Sequence, residues 1–281
     1  MLKKLKTALV TILDSSLLIL LIYSQISFPD RQSVAAQKGD FAVTESKYIK
    51  SSQDVYIKIT KNGPYLVYGA PILKQEFIKP NSEGASWIYK DGKRFKIENN
   101  GKPIALCRCG KSKHAPFCDG THTKVDFDGT ETANHEPILD GAEVFEGPAY
   151  TLLDNEVYCA FARFCEAYGK VWNLVEDEGK EVNELAVREA CNCPAGRLMI
   201  KKNGTDEIIE PKLDKEISAL EDTAIPCSAG LFVKGKIRIE GADGKVYEIR
   251  NRQVLCRCGK SANKPFCDGS HAAVKYQDGI E

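Results

Sequence analysis

The residues best suited to chemistry in this chain are six cysteines and two histidines in two matching runs. Cys107, Cys109, Cys118 and His122 read C-x-C-x8-C-x3-H, and Cys256, Cys258, Cys267 and His271 repeat the pattern 149 residues later. The two 16-residue windows agree at twelve positions, so the repeat falls on metal-ligand residue types. Three thiolates and one imidazole form a complete four-ligand set for a soft or borderline metal. A Cys-x-Cys pair is tighter than the C-x2-4-C usual in zinc knuckles. Its thiolates more comfortably share one iron of a binuclear cluster, which leaves the third cysteine and the histidine for the other iron. Asp119 is placed to cap a helical turn with Gly120 just inside it, so that Cys118 and His122, four apart, face the same way. Pro116 and Pro265 stiffen the approach to the third cysteine. A structural zinc site is the alternative for the same residues.

Both windows resemble the CDGSH iron–sulfur motif, spelled here Cys118-Asp119-Gly120-Thr121-His122 and Cys267-Asp268-Gly269-Ser270-His271. The Cys-x-Cys pair, the serine three residues beyond it (Ser112, Ser261) and the Pro-Phe-Cys-Asp-Gly run are all present; Thr121 is the one departure. The resemblance implies two [2Fe-2S] clusters, one on Cys107, Cys109, Cys118 and His122, the other on Cys256, Cys258, Cys267 and His271. It also implies a small β-rich cap beside the cluster loops. Single-motif relatives form two-fold dimers, so a chain with two copies is expected to build a pseudo-two-fold pair internally and to have a monomeric body.

Between the copies, roughly 148–205, lie four more cysteines in a stretch of different character. Glu156 to Tyr168 reads as a helix carrying Cys159 and Cys165, and Val182 to Cys191 as another, ended near Cys193-Pro194-Ala195-Gly196. C-x2-Ala-x2-C, an aromatic residue (Trp172) and a helix running into Cys-Pro resemble a single-cluster ferredoxin, with Ala162 where a four-iron cluster takes its second cysteine. That resemblance implies a third cluster drawn from Cys159, Cys165, Cys191 and Cys193. A [3Fe-4S] centre suits Cys159, Cys165 and Cys193; a [4Fe-4S] centre takes Cys191 as a fourth ligand, and Cys191 also fits in place of Cys193. Packed, inert cysteines are the plain alternative. Cys227 stands alone and reads as structural, His114 as an exposed loop residue whose counterpart is Asn263, and His135 as a linker residue.

The elements that must position these residues are mostly strands. Val55 to Ile59 alternates as a strand, Gly63 to Gly69 holds another, and Trp87–Lys90 and Arg94–Ile97 flank Asp91-Gly92, a hairpin-turn pair. Leu231 to Gly235 and Val246 to Ile249 repeat this lead-in before the second window. The expected fold class is therefore α+β: two β-rich modules in a pseudo-two-fold pair with a small helical ferredoxin-like insert. The expected division is 1–28 hydrophobic segment, 29–54 linker, 55–126 first module, 148–205 ferredoxin-like segment and 222–276 second module.

Residues 1–28 carry Lys3, Lys4 and Lys6 before an apolar run from Ala8 to Tyr23 that is broken by Asp14. A membrane anchor, a cleaved signal ending near Val34-Ala35-Ala36 and a mis-called start all fit. As an anchor, the lysines would place the body outside the cytoplasm. The cysteine pattern argues instead for a reducing intracellular compartment, so the two signals conflict.

Lysine plus arginine balance aspartate plus glutamate at 39 each, so no global charge calls for nucleic acid. The balance hides a partition: Gly141 to Ala190 nets −7, and windows 101–124 and 250–275 net +4 and +5. Positive charge around an anionic, thiolate-ligated cluster lowers the cost of its charge and steers acidic redox or cluster-acceptor partners. There is no dinucleotide fingerprint, P-loop or nucleophile elbow, so an electron or cluster carrier is expected rather than an enzyme. A mixed Cys3His set places the potential above an all-cysteine centre and leaves one ligand that protonates, which suits release. A zinc-stabilised interaction module and an electron-relay subunit of a partner oxidoreductase are the other two classes.

Overall fold

The computed structural model describes residues 54–97 and 100–280, so segment 1–28 and all of linker 29–54 except Asp54 lie outside the described residues. Among the described residues no helix is long and apolar enough to cross a membrane.

The first module supplies β1 (Tyr56–Ile59), β2 (Tyr65–Tyr68), β3 (Ile72–Pro80), β4 (Ser86–Arg94) and β5 (Ile104–Leu106). Period-two alternation buries Ile57, Ile59, Tyr65 and Val67 and leaves Lys58 and Leu66 half-exposed. The second copy is built from β10 (Glu216–Asp222), β11 (Cys227–Lys234), β12 (Arg238–Glu240) and β13 (Arg252–Leu255). All eight positions of β11 are buried, because β10 and β13 flank it and both its faces are covered.

The copies are joined by exchanging strands. One sheet runs β12-β1-β2-β5, and the other runs β13-β11-β10-β3-β4. β12 of the second module lies parallel to β1 of the first, with Tyr56 opposite Arg238. In return β3 of the first lies parallel to β10 of the second, from Glu216 opposite Ile72 to Asp222 opposite Ile78. Each sheet thus holds a three-stranded unit of one copy extended by the other copy, by the single strand β12 in the first sheet and by the β3–β4 hairpin in the second. That is the pseudo-two-fold pairing the repeat implied. Across the second sheet Lys234 bridges Glu76 and Glu216 at 2.6 and 2.7 Å, and Lys74 bridges Glu216 at 3.0 Å. Buried charges of alternating sign penalise any slip of the β3–β10–β11 register.

Asp91-Gly92 is not a turn. β4 runs straight through it, and the hairpin closes instead at 81–85, where Asn81 Oδ1 accepts the amides of Glu83 and Ala85. Gly92 sits against Phe77 at an irregular point of the ladder, a place in a strand where a small residue admits a neighbour.

A third sheet, β6 (Glu143–Glu146), β7 (Tyr150–Asp154), β8 (Leu198–Lys202) and β9 (Ile208–Ile209), carries the middle segment with helices α1 (Val171–Glu176) and α2 (Lys180–Asn192). The expected helix over 156–168 is absent. In its place are two 3-10 turns, Glu156–Tyr158 and Phe164–Glu166, separated by a loop with positive φ at Phe161 and Arg163. Burial of Ala160, Ala162 and Phe164 bends the chain around a point rather than along an axis.

On α2, Glu189 is fully buried. Its Oε1 accepts the Tyr168 amide at 2.9 Å, its Oε2 has no partner among the described residues, and burial pushes the carboxyl up to about 7. The folded state therefore holds a proton that the unfolded chain releases near 4.5. The stability this contributes is complete below that value and is lost as pH rises through about 7. Glu189→Gln, which keeps the acceptor, is expected to match wild type in denaturant midpoint at pH 4. At pH 8 it should exceed wild type by roughly 3 kcal/mol. Equal midpoints at pH 8 would count against an ionisable buried carboxyl.

Candidate metal centres

Both loops are held by the same bonds. The amide of Cys107 donates to Pro116 O and that of Cys118 to Ala105 O, each at 2.8 Å; Cys256 and Cys267 donate to Pro265 O and Val254 O at 2.8 and 2.9 Å. Leu106 bridges Phe117, and Leu255 bridges Phe266, so the strand end and the third cysteine are drawn together. Ser112 Oγ donates to Phe117 O at 2.6 Å and Ser261 Oγ to Phe266 O at 2.7 Å, which accounts for the serine in both copies. Asp119 accepts the amides of Lys113 and Thr121, and these bonds hold its carboxyl well below the usual range. The helical turn starts one residue later than the sequence implied. Gly120 and Gly269, both left-handed, precede turns at Thr121–Thr123 and at α3 (Ser270–Ala273).

The ligand side chains fall into pairs. Cys107 and Cys109 sulfurs lie 3.7 Å apart, and so do those of Cys256 and Cys258. Two thiolates at about 2.3 Å from one tetrahedral metal sit about 3.7 Å apart, so each pair is spaced for a shared ion. Cys118 Sγ lies 3.4 Å from His122 Nδ1, and Cys267 Sγ lies 3.3 Å from His271 Nδ1. Among the described residues no group of three or more Cys, His, Asp or Glu side chains is placed to hold one ion. All eight predicted ligands are thus gathered two by two at each loop.

Their protonation suits metal binding. Cys107 and Cys256 are each drawn down to about 6 by the hydrogen bond from the partner thiol, and Cys109 and Cys258 are pushed well up by donating it. A second negative charge at that distance needs a cation beside it. Burial draws His271 down to about 4, which keeps its imidazole neutral with a lone pair to offer.

The two loops also touch each other. A Cβ on Gly110 would lie 2.6 Å from Cys258 O, and one on Gly259 would lie 2.8 Å from Cys109 O. Tyr65, on the first module, donates its hydroxyl to Cys256 O and Pro265 O of the second loop, at 2.7 and 3.1 Å. Behind the ligands, Arg108 donates to Thr60 O and Gly129 O, and Arg257 to Ala229 O and Leu220 O. Sequence reasoning passed over these anchors. The signal available was an identical arginine between the paired cysteines of both copies.

Of the four middle cysteines, three come together. Cys159, Cys165 and Cys193 line one small cavity, with Ala162 and Arg197 also in its wall. Burial pushes the Cys165 thiol up to about 12, and Cys193 and Cys159 add to that rise. Cys191 is not part of the group; its sulfur donates to Ile209 O at 3.5 Å. Cys227 is buried in β11, where burial pushes its thiol up to about 11. His114 is exposed as expected, and His135 has a partner after all, stacking on Tyr247 with ring centres 4.2 Å apart.

The family model described as "Iron-binding zinc finger CDGSH type" matches residues 62–123 and 229–272, the two stretches that contain the paired loops. No curated protein and no solved structure gives a significant match. Both paired loops thus lie in stretches that match an iron-binding domain model, and the geometry of each is consistent with a CDGSH-type iron–sulfur domain.

Proposed function

We propose that each CDGSH loop holds a [2Fe-2S] cluster and that the protein works as a carrier, moving single electrons and handing clusters to acceptors. The observation that carries this reading is the separation of each ligand set into a Cys–Cys pair at 3.7 Å and a Cys–His pair at 3.3 to 3.4 Å. A mononuclear zinc site needs all four donors on one ion, whereas a binuclear cluster takes two donors on each metal. The bound cluster supplies the redox chemistry. The chain supplies the ligands, the amide and serine bonds that fix them, and the burial that sets the potential.

Cys159, Cys165 and Cys193 around one cavity support a third centre of the three-iron type, with Ala162 where a further ligand would stand. The basic windows favour acidic redox or acceptor proteins, and a reducing compartment suits so many free thiols. Strand exchange within the chain does the work of a dimer interface, so the body acts as a monomer.

Anaerobically purified protein is expected to be coloured, with iron and acid-labile sulfide. The CDGSH loops account for about four irons per chain and the third centre for about three more. Cys109→Ser should remove about two irons and Cys165→Ala about three. Zinc without sulfide would overturn the cluster reading, and an iron count unchanged by Cys165→Ala would overturn the third centre.

A further inference from the structure

Two loops of nearly the same sequence have different surroundings. In the second, Phe266, Cys267 and His271 are 3%, 1% and 2% exposed; in the first, Phe117, Cys118 and His122 are only half-buried. The cover over the second loop is the segment 157–163. A Cβ on Gly269 would sit 3.1 Å from Phe161 Cβ and 3.2 Å from Cys159 O, whereas one on Gly120 meets nothing within 4 Å among the described residues. Asn263 donates its side-chain amide to Val157 O at 3.2 Å, while His114, at the same place in the first loop, is exposed. Tyr158 packs edge-on to Phe266 with ring centres 5.2 Å apart. Arg163 pins the segment by an ion pair to Asp222 on β10, at 2.5 Å.

We propose that the two CDGSH sites divide the work: the first exchanges its cluster with an acceptor, and the second retains its own as a fixed redox centre. This rests on the two-cluster reading. Transfer needs the thiolates of an acceptor to reach the metals and the protein's ligands to leave. At the first loop Cys118 and His122 are open to that approach. At the second, the chain from Val157 to Arg163 must lift first, which makes exchange wait on a local opening. Exposed Lys111, Lys113 and Lys124 around the open loop suit an apo acceptor whose thiols lie in an acidic face. The exchange is one of ligands alone. Four acceptor thiols release four protons as they bind, Cys107, Cys109 and Cys118 take up three as they are freed, the fourth proton passes to solvent, His122 leaves neutral, and no electron changes hands.

The test uses the loaded full chain, with iron and sulfide counted beforehand. It is challenged with excess EDTA and, separately, with an apo plant-type [2Fe-2S] ferredoxin. Loss of the [2Fe-2S] signal is followed by EPR of samples reduced at each time. Two phases of similar amplitude are expected with EDTA, and only the fast one with the acceptor. His122→Cys should slow the fast phase, and His271→Cys should change only the slow one. Tyr158→Ala should speed the slow phase roughly fivefold by removing its edge-on contact with Phe266. Asn263→Ala, a milder cut in the same cover, should speed it less. A single phase, or a fast phase that responds to His271→Cys, overturns the division. Fewer than two clusters in the starting protein overturns the two-cluster reading and this inference with it.

Discussion

Gly110→Ala is expected to cost roughly 2–5 kcal/mol and to damage the second cluster site more than the first. Gly110 has φ +68, where an L side chain is strained, and its added Cβ would stand 2.6 Å from Cys258 O and 2.9 Å from Cys258 Cα. Those atoms are backbone, so no rotamer change relieves the contact. The loop that must move carries Cys256 and Cys258, the pair set at 3.7 Å for one ion. Gly259→Ala is the reciprocal change, pressing on Cys109 O at 2.8 Å, and should injure the first site. Denaturant midpoints together with iron content per site, resolved in His122→Cys and His271→Cys backgrounds, check the pair. If each glycine variant loses only the cluster of its own loop, the two sites do not lean on each other.

Arg252→Met should be the most damaging single change outside the ligand loops, at roughly 3–5 kcal/mol. The guanidinium is buried at 1% exposure of its side chain. It donates to the carbonyls of Ala190, Cys191 and Cys193, where α2 ends, and it pairs with Glu210. Cys193 caps α2, so Arg252 fixes both the end of the helix and a wall of the middle cavity from β13. Methionine fills the space but withdraws a charged donor from four carbonyls, Leu198 O included, and from the Glu210 carboxylate. The variant is expected to lose part of the stability and, with it, the irons of the proposed middle centre, while the proposed cluster of the first CDGSH loop keeps its visible and EPR signature. Loss of all centres in equal measure would show that the middle segment and the first module fail as one unit.

Much of the chemistry was legible in the residues. The C-x-C-x8-C-x3-H repeat picked out eight candidate ligands that the fold gathers in pairs, because metal coordination restricts both residue type and local spacing, and each Cys–Cys and Cys–His pair is made within four residues of chain. The duplication likewise announced a pair of β modules. Asp91-Gly92 misled, since a turn signal is a local preference and the pairing of β3 with β4 overrode it. The stretch 156–168 misled for a related reason. Its apolar residues are spaced as on a helix, but they face a shared cavity, and the buried loop they form depends on partners from α2 and β8.

By itself the sequence determined the two candidate ligand sets and their repetition, because those pairs are contacts between near neighbours in the chain. Only the tertiary structure decided how the copies combine and how they differ. Strand exchange between β1 and β12 and between β3 and β10 joins residues more than 140 positions apart, which no local pattern encodes. The same is true of the cover that Val157 to Arg163 lays over Gly269 and Asn263. Two loops identical at twelve of sixteen positions become one closed site and one open site, because burial belongs to the neighbours that long-range packing brings, not to the residues being buried.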